Sequence, residues 1–296
     1  IEEYTSELEV CRFNAAVMIL EDLVIETLSR LYVPMIRKEL WTDETSNAQR
    51  RQAIYAVLHY ALKTITLLFN PVTPHISEAL YQNVYRKLNP ALVESVNFET
   101  WPQSDQQLRD QSVEKVFETL FRAVSLVNAA RQTGKLKRRW PLRTVVVVAP
   151  EKIHRELESV EDLFLEMINI KDAEYSTVSP QAEDTTWISA VEADMSVFIS
   201  GQRDDRLMGE GIMRDLARRV QALRKELGFM PTDVLDAVHI AELDEESRTL
   251  LQPFLEEMSG LVRTHKVYLH KSKDEEKQAD WHESELDGKK IYLNIH

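Results

Sequence analysis

Six cations, Arg131, Lys135, Lys137, Arg138, Arg139 and Arg143, fall within one short stretch, ARQTGKLKRRWPLRTVVVV at residues 130–148, with no acid among them. Clustered guanidinium and ammonium groups pair with phosphate oxygens and release the counterions condensed on a nucleic-acid backbone. Trp140 lies beside these cations, and an indole in that setting can stack on an unpaired base. A smaller group, Arg37, Lys38 and Trp41 in RKELW, has the same make-up. The competing explanation is local: cations near a helix C-terminus complement its dipole, and a tryptophan at a helix end packs into a core. The chain carries a net charge of -13, yet the balance is +6 over residues 111–150, -5 over 1–110 and -14 over 151–296. An acidic total does not exclude RNA, because phosphate binding depends on the local footprint.

Other chemistries find little support. The eight histidines are scattered, no HExxH or CxxC spacing occurs, and a metal site is not expected. His75, after TP and before an apolar run, reads as a helix-start residue. The chain has neither a Gly-rich phosphate loop nor a GxSxG nucleophile elbow, so no catalytic constellation and no bound cofactor are expected. Cys11 is the only cysteine; it reads as a small buried helix residue, and a reducing cytoplasm fits. No stretch approaches eighteen consecutive apolar residues, so no membrane span is expected. The sequence opens without methionine and already in helical period, which suggests a piece of a longer polypeptide.

Two kinds of element must position the cations. Residues up to about 135 read as long amphipathic helices: a first one through LYVPMIRKELW with a kink or break at Pro34, a second over 54–69, a third over 75–88 and a fourth over 111–134 that stops at Gly134. From Pro141 the period changes. RTVVVVAP reads as a strand, EKIHRELESVEDLFLEM as a helix and INIKDAEYSTV as a strand; DAVHIAEL, DEESRTLLQPFLEEMSGLVRTH and KVYLHKS repeat that order. The fold class is therefore α+β. An antiparallel helix bundle, 1–136, is followed by a smaller α+β domain, 137–296, built from a duplicated helix-strand-helix-strand-hairpin unit spanning about 111–200 and 204–296, the first helix of the first unit being shared with the bundle.

A shift of 93 residues places Arg131 on Arg224, Leu142 on Leu235 and Val145 on Val238; a shift of 94 places Trp187 on Trp281 and Val197–Ile199 on Ile291–Leu293. The duplication is an internal control on the basic run. Arg218, Arg219, Arg224 and Lys225 maintain positive charge along the second helix, but Lys137, Arg138, Arg139 and Arg143 become Met230, Pro231, Thr232 and Asp236. Cations that only finished a helix would occur in both copies. Their restriction to one points to a site, whereas the recurring Arg131 has a structural competitor.

Three segments carry a resemblance. SRLYVPMIRKELW contributes Ser29, Arg30, Tyr32, Arg37 and Trp41; NPVTPHISEALYQ contributes Pro71, Pro74, His75, Glu78, Leu80 and Gln82; NFETWP follows at 97–102. Together they resemble the anticodon-binding helix bundle of the class I synthetases for isoleucine, valine and leucine. NAARQTGKLKRRWPLRTVVV is most similar to the isoleucyl-tRNA synthetase branch, with Lys137, Arg139, Pro141 and Leu142 matching its K-x-R-x-P-L turn. RRVQALRKELGF is similar to the C-terminal region of archaeal and eukaryotic-type members. The HIGH and KMSKS signatures of that family's catalytic domain are absent, and the bundle's first helix looks clipped. The resemblance implies an anticodon-recognition module that binds the isoleucine isoacceptor of tRNA. Its implied RNA contacts are Arg131, Lys135, Lys137, Arg138, Arg139 and Trp140 first, then Arg37, Lys38 and Trp41. The acidic tail is expected to brace the rest of the same synthetase chain, with Arg218, Arg219 and Arg224 as its RNA surface. ATP and Mg2+ belong to a catalytic domain outside this chain, and neither DNA nor a membrane is an expected partner. A valyl or leucyl module, or a helical protein-interaction scaffold, is the alternative.

Overall fold

A computed structural model describes residues 1–41, 48–181, 187–276 and 280–296. The chain forms two compact units, Ile1–Gln111 and Ser112–His296.

The first unit is helical. Helices α1 (Glu2–Glu9) and α2 (Phe13–Asp22) are separated at Cys11, which is exposed and takes a left-handed φ of 58°. The break therefore falls at Cys11 rather than Pro34, and the cysteine is no core residue. Pro34 sits inside a continuous helical path. Residues Leu23–Tyr32 widen to i→i+5 bonding before α3 (Val33–Trp41), with the Val33 amide donating to the Leu28 carbonyl. Widened turns accommodate the proline ring and its missing N–H, which would clash with a regular α-helix. Helix α4 (Ala48–Phe69) is long and apolar enough to cross a membrane by length and composition. Little of it is buried, and Tyr55, Val57, Tyr60 and Leu62 are exposed. Helix α5 (Pro74–Leu80) starts with Pro74 in its first turn and His75 exposed beside it, as a helix-start residue should be, and widens over Tyr81–Arg86.

Two small cores hold this unit. Tyr4, Ala16, Leu20 and Leu68 form one, with the Tyr4 hydroxyl donating to the Leu68 carbonyl at 2.7 Å and Trp101 stacked beside Tyr4. Tyr81, Tyr85 and Val96 form the other. Glu78 ties the 95–99 segment down by accepting from the Ser95 hydroxyl at 2.8 Å and the Val96 amide at 2.9 Å. Gln82 also donates to it, and these bonds together hold the Glu78 carboxyl below the usual carboxylate range.

The second unit begins with α6 (Gln111–Thr133), the helix expected to be shared between the bundle and the first repeat. Its Leu120, Ala123, Val127 and Ala130 are fully buried in one cluster with Leu142, Val145, Val147, Leu157, Phe164 and Ile199. That apolar stripe needs the sheet as its cover, so the domain core claims the helix. The first repeat continues with β1 (Leu142–Val148), α7 (Glu151–Glu158), α8 (Glu161–Ile168), β2 (Ile170–Ser176), β3 (Trp187–Glu192) and β4 (Met195–Ser200). The second repeat is α9 (Asp205–Glu226), β5 (Leu235–Ala241), α10 (Glu245–Leu251), α11 (Leu255–Val262), β6 (Thr264–His270), β7 (His282–Leu286) and β8 (Lys289–Ile295). The sheets have orders β2-β1-β4-β3 and β6-β5-β8-β7, the same topology twice. In each, a helical crossover joins a parallel pair made of one central strand and one edge strand, and an antiparallel hairpin adds two strands on the other side.

One difference separates the copies. Val147 of β1 pairs with Val197, whereas its counterpart Ile240 of β5 pairs with Leu293, the counterpart of Ile199. The second hairpin is thus docked two residues further along its central strand. A slip of two leaves every side chain on its original face, which is why the apolar pattern shows no trace of it.

Candidate nucleic-acid interface

The basic segment starts where α6 ends. Lys135 takes the left-handed conformation, φ 52°, and the Leu136 amide reaches back to the Arg131 carbonyl at 2.8 Å. The second copy repeats the cap with Gly228 at φ 83° and Phe229 donating to the Arg224 carbonyl at 2.9 Å. At Gly134 a Cβ would come within 2.4 Å of the Cδ1 end of the Ile188 side chain, which would have to shift to admit it.

Beneath this cap lies Arg131, only 1% exposed. Its Nη1 donates to the carbonyls of Lys137 and Trp140 at 3.2 and 3.0 Å, and its Nη2 to those of Ile168 and Asn169, both at 3.0 Å. Arg224 does the same in the second copy, donating to the carbonyls of Met230, Asp233, Val262 and Arg263 at 2.7–3.3 Å. The eight acceptors correspond one to one between the copies. A planar guanidinium has enough fixed donors to fasten a turn and a helix end at once. Burial, then the nearby Arg203 and Arg138, pull the Arg131 pKa down to about 10, so it remains charged at neutral pH. Arg131 and Arg224 are therefore internal rivets rather than RNA contacts.

Trp140 is also withdrawn from solvent, at 7% exposure, and packs in the second repeat's core. Its Nε1 donates to Asp215 Oδ2 at 3.0 Å, and the Arg203 guanidinium lies 4.8 Å from its ring centroid. It cannot stack a base from there. Three of the remaining cations are engaged. Arg139 Nε lies 3.0 Å from Asp215, Lys137 Nζ lies 2.5 Å from Asp287 and 3.7 Å from Asp215, and Arg143 reaches Asp172 at 3.3 Å and Asp204 at 3.8 Å. Lys135 and Arg138 are exposed and form no ion pair among the described residues. The Asn169 amide donates to the Arg138 and Arg139 carbonyls at 3.1 and 3.0 Å, which fixes the backbone from which Arg138 projects.

In the second copy Arg219 is likewise internal, donating to the carbonyls of Glu285 and Asp215, while Arg218 is exposed. In the first unit Arg37 is exposed on α3. The side chains of Lys38 and Trp41 lie outside the described residues.

Sequence reasoning missed a cavity of about 390 Å³ in the first unit, lined by His59, Tyr60, Lys63, Thr64, Leu67, Pro102 and Gln103. Tyr60 is exposed at its edge, and Lys63 is held by Glu99 at 3.1 Å. An exposed phenol and an ammonium with further donors suit a flat polar ring such as an unpaired base. The signal in the sequence is weak: Tyr60, Lys63 and Thr64 lie within the apolar C-terminal half of α4. Among the described residues no group of three or more His, Cys, Asp or Glu is arranged to hold a metal.

Comparison with known proteins adds the following. Residues 1–146 match the model of the family described as the anticodon-binding domain of tRNA ligase. An isoleucine–tRNA ligase of Methanopyrus kandleri is 26% identical over 297 residues, covering 100% of this chain and 24% of the relative. One from Pyrococcus furiosus is 26% identical over 92% of this chain and 31% of its own length, and one from Thermus thermophilus is 34% identical over 58% and 16%. The chain spans less than a third of the length of these relatives.

Proposed function

We propose that this chain, which belongs through residues 1–146 to the family of anticodon-binding domains of tRNA ligases, is the tRNA-binding part of an isoleucine–tRNA ligase. The observation that carries the reading is the family match, which runs from the first helices through the basic loop to β1. The relatives' shared name supports isoleucine as the amino acid and the isoleucine isoacceptor as the RNA. A valyl or leucyl module and a protein scaffold are not favoured by these relatives. The reading places ligation, with its ATP and Mg2+, in a catalytic domain outside these residues, makes the remainder of that synthetase the protein partner, and puts the work in the cytoplasm without DNA or membrane.

Within the chain, Arg138 and Lys135 hold phosphates from the loop, and Arg37 adds a contact in the first unit. A splayed base enters the cavity beside Tyr60. The rivet Arg131 and the buried Trp140 serve by keeping the loop in shape. Phosphates position the RNA in such a scheme, and the base contact specifies it.

The test is equilibrium binding of tRNA transcripts to the chain across a salt series. Wild-type affinity should fall steeply with salt, and Arg138→Glu should weaken binding several-fold and flatten the slope by about one, the effect of at least one lost phosphate contact. Absence of salt-sensitive affinity for any tRNA would sink the reading.

A further inference from the structure

The two acids that hold the loop belong to the second repeat. Asp215, on α9, is 1% exposed and faces Arg139 at 3.0 Å and Lys137 at 3.7 Å, with Trp140 Nε1 at 3.0 Å. Asp287, in the β7–β8 turn at φ 47°, meets Lys137 at 2.5 Å. These are distances at which a phosphate oxygen would meet the same cations.

The duplication shows that the arrangement is specific. The first-copy counterparts of Asp215 and Asp287 are Arg122 and Ala193, and the second-copy counterparts of Lys137 and Arg139 are Met230 and Thr232. Acids and cations each occur once, in opposite copies, and meet. The two pairs differ in strength. Asp215 is sealed in, so Arg139 is fixed to it. Lys137 and Asp287 are both about half exposed, and a pair in that setting is weak enough to exchange with an external anion.

We propose that Asp215 and Asp287 act as internal phosphate surrogates, with Asp287 an exchangeable gate on Lys137, so that the loop offers RNA only part of its charge. The ligand, an RNA phosphate, rests on the tRNA-binding reading above. The consequence is selectivity: binding by charge alone is restrained, and an RNA that also fills other contacts is favoured.

The experiment measures binding of labelled tRNA and of heparin, a polyanion without bases, to the full chain across a salt series. Asp287→Asn keeps a residue type that tolerates the left-handed turn, and a melting curve checks the fold. The variant should steepen the slope of log affinity against log salt by about one for both ligands, raise low-salt affinity several-fold, and reduce the preference for tRNA over heparin. In a Lys137→Met background Asp287→Asn should change neither slope. Unchanged slopes in the single variant, or an effect that persists without Lys137, would overturn the proposal. Should heparin binding steepen as expected while no form of the chain binds tRNA, the gate stands and the tRNA reading falls.

Discussion

Replacing Arg131 by methionine separates a rivet from an RNA ligand. The guanidinium makes four bonds to carbonyl oxygens at 3.0–3.2 Å and is 1% exposed. Methionine refills most of the volume of the stem but donates nothing. At about 1 kcal/mol net for each lost bond, the cost is roughly 4 kcal/mol. For a unit of this size each kcal/mol moves the melting temperature by roughly 2–4 °C, so a fall of about 8–16 °C is expected. Arg131→Lys should recover little of it, because a single ammonium cannot span a turn on one side and a helix end on the other. Arg224→Met should lower stability to a similar extent, since its four acceptors are equivalent. The assay is thermal and urea unfolding of the three variants, followed by tRNA binding well below each transition. An Arg131→Met protein that melts like the wild type yet has lost tRNA affinity would refute the rivet argument and return Arg131 to the interface.

Two further outcomes follow from the second repeat. A Cβ at Gly211 would lie 2.5 Å from the Trp140 ring, which Asp215 and Arg203 hold in place. Gly211→Ala should therefore destabilise by about 1–3 kcal/mol through overpacking and shift the tryptophan emission on unfolding; a stabilised variant, as helix propensity alone would give, would contradict that packing. On the second sheet His239 is 8% exposed, bonds to His270 at 2.8 Å and stacks on Tyr268, His270 and His296. Burial, then His270 and His296, lower its pKa, while Glu276 opposes them. The folded state thus binds fewer protons than the unfolded one, so this contribution is complete above the unfolded value near 6.5 and is lost as pH falls through the folded pKa. Urea midpoints should decline from neutral pH toward pH 5, and His239→Gln should flatten that decline; an equally steep decline in the variant would place its origin elsewhere.

Much of this architecture can be read along the chain because its signals are local. Period 3.6 in residues up to 135, β-branched runs after Pro141 and the repeated element order all report on the backbone's immediate neighbours. Three features go beyond what those local signals carry. Pro34 was expected to break a helix that instead widened around it. The helix at 111–133 was read as shared by the bundle and the first repeat, and its apolar stripe is covered by a sheet assembled from later residues. The two-residue displacement of the second hairpin preserves alternation and leaves no mark in the pattern. The comparison between copies succeeded for Arg131, whose recurrence as Arg224 pointed to a structural role.

The basic loop shows the division most clearly. By composition and spacing alone, the sequence established that six cations gather in an acidic chain, that five of them are absent from the second copy, and that the surrounding segments resemble an anticodon-binding module. It could not establish which cations are available. That depends on Asp215 and Asp287, which lie about 75 and 150 residues away from the loop and reach it only once the two repeats have packed. A carboxylate's influence decays over distance in space and not along the chain, so only the tertiary structure decided that Lys137 and Arg139 face an internal acid while Arg138 and Lys135 face solvent.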